Sequence, residues 1–256
     1  EKLLEYDRRK IRNQITRLKE KLEDIEKRRS ALRKRRSDAF FTTISIIGYT
    51  NAGKTTLLNQ LTSSKKLVSN RLFSTLDPVA RSYTLPNNQK VLFLDTVGFL
   101  HNLPHHLIEA FKSTLEEVKM ADILLHVLDA SSEKIHEQDE AVYKVLKELE
   151  AENKIVIEVL NKIDLVDSQD RINRLRKDFD KSTLVSSLTG LGMPMLIEEI
   201  SQLLSGLVTD IKIDVSHNRM DLVNLIYENG RVNYREDRAE SVYLEATIPV
   251  RLKHLI

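Results

Sequence analysis

The 256-residue chain carries a net charge of only +2, with 41% hydrophobic and 30% charged residues, a balance typical of a soluble globular protein. The absence of cysteine excludes disulfides and thiolate metal sites, and no apolar run approaches the roughly 18–20 residues that a membrane helix needs. The first residues do not follow a signal-peptide pattern. We therefore expect a cytoplasmic, monomeric protein with no membrane contact and room for one large and one smaller domain.

The N-terminal 39 residues predict one long basic helix, because they contain neither glycine nor proline. They hold fifteen Lys and Arg against eight Asp and Glu, a local charge of +7. Apolar residues recur every seven positions, as in a helix that packs along a partner helix, at Leu4, Ile11, Leu18, Ile25 and Leu32. The densest basic run, residues 27–36, is either a solvated face or a contact to RNA phosphates.

The stretch 41–59 combines an apolar, β-branched run with a glycine-containing turn and an amphipathic helix. Its glycines and the following Lys-Thr pair have the spacing G-x-x-x-x-G-K-[ST], which forms a nest of backbone N–H groups for phosphates. Lys54 would reach the β- and γ-phosphates, and the Thr55 hydroxyl would bind Mg²⁺. The predicted phosphate-binding residues are Gly48, Tyr49, Thr50, Asn51, Ala52, Gly53, Lys54, Thr55 and Thr56.

Two further motifs follow apolar strands. The first is Asp95-Thr96-Val97-Gly98, in which a carboxylate suits an indirect Mg²⁺ contact and the Gly98 N–H suits a γ-phosphate. The second is Asn161-Lys162-Ile163-Asp164, where the Asp164 carboxylate can accept hydrogen bonds from guanine N1–H and the exocyclic amine. The Asn161 amide would hold neighbouring loops together, the Lys162 stem would cover the base, and backbone N–H groups of Ser186, Ser187 and Leu188 would reach guanine O6.

Strand and helix patterns alternate from the phosphate loop to about residue 207, which predicts an α/β domain with a mostly parallel sheet and helices on both faces. Beyond residue 207, a strand, a short helix and two alternating strands predict a small α+β domain. We thus expect three parts: a long basic helical arm (1–39), a P-loop GTPase domain (40–207) and the small C-terminal domain (208–256).

The chain resembles the HflX family of ribosome-associated GTPases over nearly its whole length. The resemblance rests on the motifs above and on the more specific segments Leu4–Arg9, Phe73–Pro78, Asp95–His105, Ala110–Glu117, Val242–Glu245 and Ile248–Pro249. Members of this family carry an N-terminal domain ahead of the part that matches Glu1. The resemblance therefore implies that the chain is a piece of a longer protein and that the partner of its heptad helix belongs to the preceding segment.

The resemblance also implies functional roles. Thr75 is similar to the switch I threonine that joins Thr55 around Mg²⁺ only with GTP, and Asp95 and Gly98 are similar to switch II residues. Lys54, Thr75 and Gly98 are thereby implied in catalysis, and Asn161, Lys162, Asp164 and Ser187 in holding the base. At the level of the whole protein, the resemblance implies GTP hydrolysis with a slow intrinsic rate, binding to the large ribosomal subunit and its rRNA, and splitting or rescue of stalled ribosomes under stress.

Several alternatives stay open at the sequence level. The same fold serves Era- or Der-like GTPases in ribosome assembly. Phe99 lies where Ras-type proteins place a water-orienting glutamine, which leaves room for a weakly hydrolysing, nucleotide-gated scaffold. Asn51 either helps to hold an activating K⁺ beside the phosphates or closes the loop by hydrogen bonds to its own backbone. The adjacent His105 and His106 point about 100° apart on a helix, which speaks against a shared metal.

Overall fold

The computed structural model describes residues 11, 14, 16, 17, 20, 21, 24, 42–62, 79–86, 89–96, 98 and 116–256. The chain divides into two compact units, Glu1–Phe40 and Phe41–Ile256. In the first unit every described residue is helical and exposed, including the heptad residue Ile11. Among the described residues of both units, no helix is long and apolar enough to cross a membrane.

A six-stranded sheet forms the centre of the second unit, with strand order β2-β3-β1-β4-β5-β6. The strands are β1 (Thr42–Gly48), β2 (Val79–Thr84), β3 (Lys90–Asp95), β4 (Ile123–Asp129), β5 (Ile155–Asn161) and β6 (Thr183–Leu184). All neighbouring pairs are parallel except β2 and β3. Because β1 and β4 are buried on both faces, they consist of continuous rather than alternating apolar runs.

Helices cover both faces of this sheet, as the alternating pattern predicts. They are α1 (Lys54–Thr62), α2 (Ile135–Glu148), α3 (Gln169–Asp178) and α4 (Met193–Ser205), and residues 116–120 are also helical. Leucines of α1 and α4 pack with Ile44 and Ile46 on one face, whereas Val142 and Leu146 of α2 pack with Ile47 and Leu124 on the other. The α/β fold expected from the sequence is therefore confirmed.

The C-terminal segment forms a three-stranded antiparallel sheet of order β7-β9-β8. Its elements are β7 (Val208–Ser216), α5 (Met220–Asn229), β8 (Arg231–Asp237) and β9 (Ser241–Pro249), with a 3-10 turn at His217–Arg219 before the helix. Every second residue of β9 is buried, which is the period expected of a strand with one covered face. The expected small α+β domain is therefore present, in the same compact unit as the large sheet.

The sequence over residues 133–150 has the pattern of a long helix, and residues 211–215 have that of a strand. The structure has a helix at Ile135–Glu148 and a strand at Val208–Ser216. The 3-10 turn Ile163–Leu165 and helices α3 and α4 are elements that the sequence motifs do not single out.

Candidate functional site: a nucleotide-binding edge of the sheet

The loop between β1 and α1 depends on two glycines. At Gly48 (φ 144°) a Cβ atom would lie 2.3 Å from the Val127 carbonyl oxygen, and at Gly53 (φ 95°) it would lie 2.3 Å from Asn161 Nδ2. Only glycine fits both the conformation and the space at these positions. Asn51, between them, also has a positive φ of 64°, and the Ala52 N–H donates to the Tyr49 carbonyl oxygen at 3.3 Å to close the turn.

Lys54 lies inside this loop. Its Nζ donates to the carbonyl oxygens of Gly48 at 3.0 Å and Tyr49 at 2.8 Å, and its side chain is buried. Burial lowers the pKa of Lys54 to about 8, although the nearby Asp95 carboxylate offsets part of this shift. A group with this pKa carries most of its positive charge at neutral pH, and the desolvated ammonium can exchange its carbonyl partners for phosphate oxygens.

The end of β3 brings Asp95 to the start of α1. The Thr55 hydroxyl donates to Asp95 Oδ2 at 2.9 Å, and both residues are buried. The Thr96 hydroxyl donates to the Ile46 carbonyl oxygen at 2.6 Å and so attaches the segment after β3 to β1. The hydroxyl and carboxylate oxygens form the hard-oxygen donor set that Mg²⁺ prefers, so the residues present fit this ion.

Gly98 comes back against the phosphate loop. A Cβ atom at this position would lie 2.8 Å from Thr50 Cα and 2.9 Å from Lys54 Nζ. The backbone of Gly98 is therefore packed against the same residues that surround the phosphate position.

Asn161, at the end of β5, joins two loops through a buried amide. Its Nδ2 donates to the Ala52 carbonyl oxygen at 2.8 Å, and its Oδ1 accepts from the Ser187 backbone N–H at 3.0 Å and the Ser187 hydroxyl at 2.8 Å. Asn161 and Ser187 are 1% and 4% exposed. The loop after β6 is thereby fixed to the phosphate loop, as the sequence argument proposed for this amide.

The remaining residues of the second motif flank that amide. Lys162 adopts a left-handed conformation (φ 63°), and its Nζ donates to Asp129 Oδ2 at 2.7 Å. Asp164 lies in the 3-10 turn with an exposed side chain that makes no hydrogen bond to the residues the structure describes. Asp129 was not recognised from the sequence; its position at the end of an apolar strand, like that of Asp95, is the signal that identifies it.

The loop after β6 presents its backbone toward the same edge. The Ser186 hydroxyl accepts from the Thr189 N–H at 3.1 Å, and the Ser186 carbonyl oxygen accepts from the Gly190 N–H at 2.8 Å. These bonds hold the loop in a tight turn, in which Ser186 is buried and Leu188 is 76% exposed. Of the three N–H groups predicted to reach guanine O6, that of Ser186 donates to the Leu191 carbonyl oxygen at 2.9 Å and that of Ser187 donates to Asn161 Oδ1. The Leu188 N–H has no partner among the described residues and is the one left for a base oxygen.

One sequence-based alternative is contradicted by the structure, and several predicted residues lie outside the part that the structure describes. The alternative in which Asn51 closes the loop through its side chain is wrong: the Asn51 side chain is exposed and makes no hydrogen bond to the described residues, because the Ala52 N–H closes the turn. The predicted roles of Thr75, Val97, Phe99 and the pair His105 and His106 lie outside the described residues, as does the basic run 27–36.

Family comparisons agree with this geometry. A model described as "50S ribosome-binding GTPase" matches residues 43–162, and a model described as "HflX C-terminal domain" matches residues 172–252. The GTPase HflX of Lacrimispora saccharolytica is 40% identical over 252 residues, covering 98% of this chain and 59% of that protein. The GTPase HflX of Escherichia coli K12 is 41% identical over 204 residues, covering 79% and 48%.

Solved structures resemble the large sheet and its helices. Aquifex aeolicus Era bound to GDP and aluminium fluoride has a TM-score of 0.53 at 27% identity, covering 62% of this chain and 56% of Era. A GTP-binding protein from Sulfolobus solfataricus in complex with GDP has a TM-score of 0.53 at 29% identity, covering 69% and 56%.

The fold, the phosphate loop and the paired strand-end motifs thus define a P-loop GTPase domain followed by a small α+β domain. The two family models match the GTPase domain and the C-terminal part of the chain, and together they identify a particular family within this class. The chain belongs to the HflX family of GTPases, and it spans a little under three fifths of the length of the HflX proteins of Lacrimispora saccharolytica and Caldanaerobacter subterraneus.

Proposed function

We propose that this chain binds and hydrolyses GTP and acts as a nucleotide-dependent switch on the ribosome. The observation that carries the proposal is the Asn161 amide, which joins the phosphate loop at Ala52 to the base-side loop at Ser187. This connection brings a phosphate nest and a guanine-type recognition motif to one edge of the sheet, the position where open α/β sheets bind ligands.

The phosphate end of the nucleotide would occupy the loop Gly48–Thr56. Lys54 would exchange its bonds with the Gly48 and Tyr49 carbonyl oxygens for the β- and γ-phosphates. Thr55 would hold Mg²⁺ directly, with Asp95 accepting the Thr55 hydrogen bond or a bond from an ion-bound water. The ion would neutralise charge that develops on the phosphates during transfer.

Residues of the Asp95–Gly98 motif would change position according to whether the γ-phosphate is present. The Gly98 N–H would donate to that phosphate, and movement of Gly98 on hydrolysis would be coupled to Thr50 and Lys54, which lie beside it. The roles of Thr75 as a second Mg²⁺ ligand and of Val97 beside the phosphate rest on the family resemblance.

The base would lie between the stem of Lys162 and the loop Ser186–Leu188. The Asp164 carboxylate, exposed and without a partner among the described residues, is available to guanine N1–H and the exocyclic amine. A site that offers only acceptors to this donor pair leaves a charge unpaired against adenine, and such mismatches discriminate by up to ~10⁴-fold. Asp164→Asn should lower GTP affinity and favour xanthosine nucleotides, and equal affinity of the unaltered chain for ATP and GTP would contradict this assignment.

The partner would be the large ribosomal subunit and its rRNA, in the cytoplasm, with ribosome splitting or rescue under stress as the outcome. The description of the family model for residues 43–162 as "50S ribosome-binding GTPase" supports the ribosomal partner, and the relatives named GTPase HflX support the GTPase activity. Splitting or rescue under stress rests on the family resemblance alone. The basic run 27–36 would contact rRNA phosphates. With about four such contacts, the slope of log affinity against log salt should be roughly −3 to −4, and neutralising Arg33, Lys34, Arg35 and Arg36 should flatten it.

The deciding experiment is GTP turnover with and without large ribosomal subunits. We expect slow hydrolysis by the chain alone and a marked increase with subunits, with no comparable increase for ATP. Turnover that subunits leave unchanged would contradict the ribosome-stimulated switch and favour the nucleotide-gated scaffold.

Ribosome assembly is the second candidate, because the large sheet resembles Era in its solved complexes. Against it, residues 172–252 match the HflX C-terminal domain. An assembly role predicts preferential binding to immature subunits, whereas the proposed role predicts binding to mature ones.

A further inference from the structure

A group of polar side chains lies between the sheet and α2, apart from the nucleotide-binding edge. His126 on β4 and Glu158 on β5 are direct neighbours in the parallel register, so their side chains point to the same face. Asp139 and Tyr143 are one turn apart on α2 and approach that face from above. His126 Nδ1 lies 3.5 Å from Asp139 Oδ1, and the Tyr143 hydroxyl donates to Glu158 Oε1 at 2.9 Å.

His126 is the unusual member of this group. Its side chain is fully buried, and neither ring nitrogen has a hydrogen-bond partner among the described residues. A buried polar side chain normally finds at least one partner, because leaving a donor or acceptor unsatisfied away from water is destabilising. The ring faces Asp139 and makes an edge-on contact with Tyr143, with 5.7 Å between the ring centroids.

We propose that His126, Asp139 and Glu158 form a binding site for a divalent transition-metal ion of the Zn²⁺ type. One ligand atom from each residue lies within 4.8 Å of the other two. Ligands about 2.0–2.1 Å from a tetrahedral Zn²⁺ are roughly 3.3–3.5 Å apart, so the His126–Asp139 separation already fits, and a small side-chain movement completes the third ligand.

The chemistry of the ligands selects this class of ion. One imidazole nitrogen with two carboxylates suits Zn²⁺ and its neighbours, whereas Mg²⁺ prefers oxygen ligands alone. Burial lowers the pKa of His126 to about 3, with the Lys54 charge adding to the shift, so the ring is in the neutral form that binds metals. The Tyr143 hydroxyl holds the Glu158 carboxylate, as hydrogen bonds commonly orient metal ligands.

Without an ion, the two carboxylates oppose each other. Burial and then the neighbouring Glu158 raise the pKa of Asp139 to about 6, so Asp139 is partly protonated just below neutral pH. A bound cation would remove this repulsion and give the buried ring its missing partner. Asp139 is partly exposed, which leaves a path for the ion from solvent.

The test is Zn²⁺ binding by the whole chain, in the presence of GDP and excess Mg²⁺ so that the nucleotide site is occupied. We expect the chain to bind one equivalent of Zn²⁺, measured by competition with a chromophoric chelator. When Co²⁺ replaces Zn²⁺, we expect the visible absorption of a four- or five-coordinate site. Asp139→Asn and Glu158→Gln should each weaken binding by about tenfold or more. Glu137→Gln, an exposed change on the same helix, is the matched control and should leave binding unchanged.

Thermal unfolding gives a second measurement that does not depend on activity. Zn²⁺ at about 100 times its Kd should raise the midpoint of the unaltered chain by about 5 °C or more. Without metal, Asp139→Asn should be at least as stable as the unaltered chain, because it removes the repulsion with Glu158; with Zn²⁺ it should gain little. The proposal is wrong if Zn²⁺ does not bind stoichiometrically, or if Asp139→Asn and Glu158→Gln bind it as tightly as Glu137→Gln does.

Discussion

Replacing Asn161 by alanine tests the connection between the two halves of the nucleotide site. The side chain makes three hydrogen bonds in a fully buried position: one to the Ala52 carbonyl oxygen and two from Ser187. A buried hydrogen bond contributes about 1 kcal/mol net, so Asn161→Ala should lower the free energy of unfolding by about 3 kcal/mol. Ser187→Ala removes only the hydroxyl bond and should cost about 1 kcal/mol.

A double-mutant cycle measures the interaction energy between the Asn161 amide and the Ser187 hydroxyl. Once Asn161 is alanine, the Ser187 hydroxyl has lost that acceptor, so adding Ser187→Ala should cost almost nothing and the coupling should be about 1 kcal/mol. Ser205→Ala is the matched control, because its hydroxyl donates to the Gln202 carbonyl oxygen on the exposed end of α4. We expect that change to stay within about 0.5 kcal/mol.

Two measurements on these variants separate stability from binding. Urea unfolding can be followed by far-UV circular dichroism, and GDP affinity by the fluorescence of a labelled nucleotide, which is not obscured because the chain has no tryptophan. Asn161→Ala should weaken GDP binding by at least tenfold, since both loops lose their common support. Additive effects of Asn161→Ala and Ser187→Ala would refute the view that this amide is the connection.

Three further outcomes follow from the phosphate loop. Because burial lowers the pKa of Lys54 to about 8 in the free protein and bound phosphates would raise it, nucleotide binding should take up a proton above pH 8; GDP affinity, measured by calorimetry, should fall by about fivefold between pH 8 and 9. Gly98→Ala should abolish most GTP hydrolysis, since the new methyl would lie 2.8 Å from Thr50 Cα, whereas Gly206→Ala meets nothing nearer than 3.8 Å and should be silent. Since the exposed Asn51 side chain is available to a cation, turnover should be faster in K⁺ than in Na⁺ at equal ionic strength, and Asn51→Ala should remove the difference.

Each of these three predictions would be contradicted by a specific result. GDP affinity that is flat from pH 7 to 9 would mean that Lys54 keeps its charge throughout, and Lys54→Met is the variant that should show such a flat profile. Equal loss of activity in Gly98→Ala and Gly206→Ala would point to general loss of folding. Equal rates in K⁺ and Na⁺ would remove the cation role of Asn51.

The elements of the site that the sequence predicts are those fixed by local chemistry. Gly48 and Gly53 are recognisable because only glycine tolerates their backbone conformations, and Asp95 and Asn161 because a polar residue ends an apolar strand. Parallel strands then bring these ends to one edge, so the position of the nucleotide site follows from the order of the motifs. The Asn161 amide was assigned to loop support from this reasoning alone, and its hydrogen bonds bear that out.

The pairings that the sequence does not predict depend on register. Lys162 pairs with Asp129, and His126 lies beside Glu158, because β4 and β5 align with no offset from Ile123 and Ile155 onward. A shift of one residue would turn the Glu158 side chain to the opposite face of the sheet from His126 and would also separate Asp129 from Asn161. Neither motif spacing nor hydrophobic pattern fixes that alignment, since both strands carry apolar residues at consecutive positions on both sides of His126 and Glu158.

The same alignment connects the cluster under α2 with the base side of the nucleotide site. His126 precedes Asp129 by three residues on β4, and Glu158 precedes Asn161 by three on β5, so the same two strands present both pairs. Residues three apart along a strand are about 10 Å apart, and their side chains point to opposite faces of the sheet. A polar pair placed inside an otherwise apolar layer is costly unless it has a function or a bound partner, because the layer would be more stable with two apolar residues there. The Lys162–Asp129 contact lies at the strand ends, beside the proposed base position, whereas the His126–Glu158 pair lies under α2. A bound ion would offset the cost of placing this second pair in an apolar layer, which is why we expect an ion there.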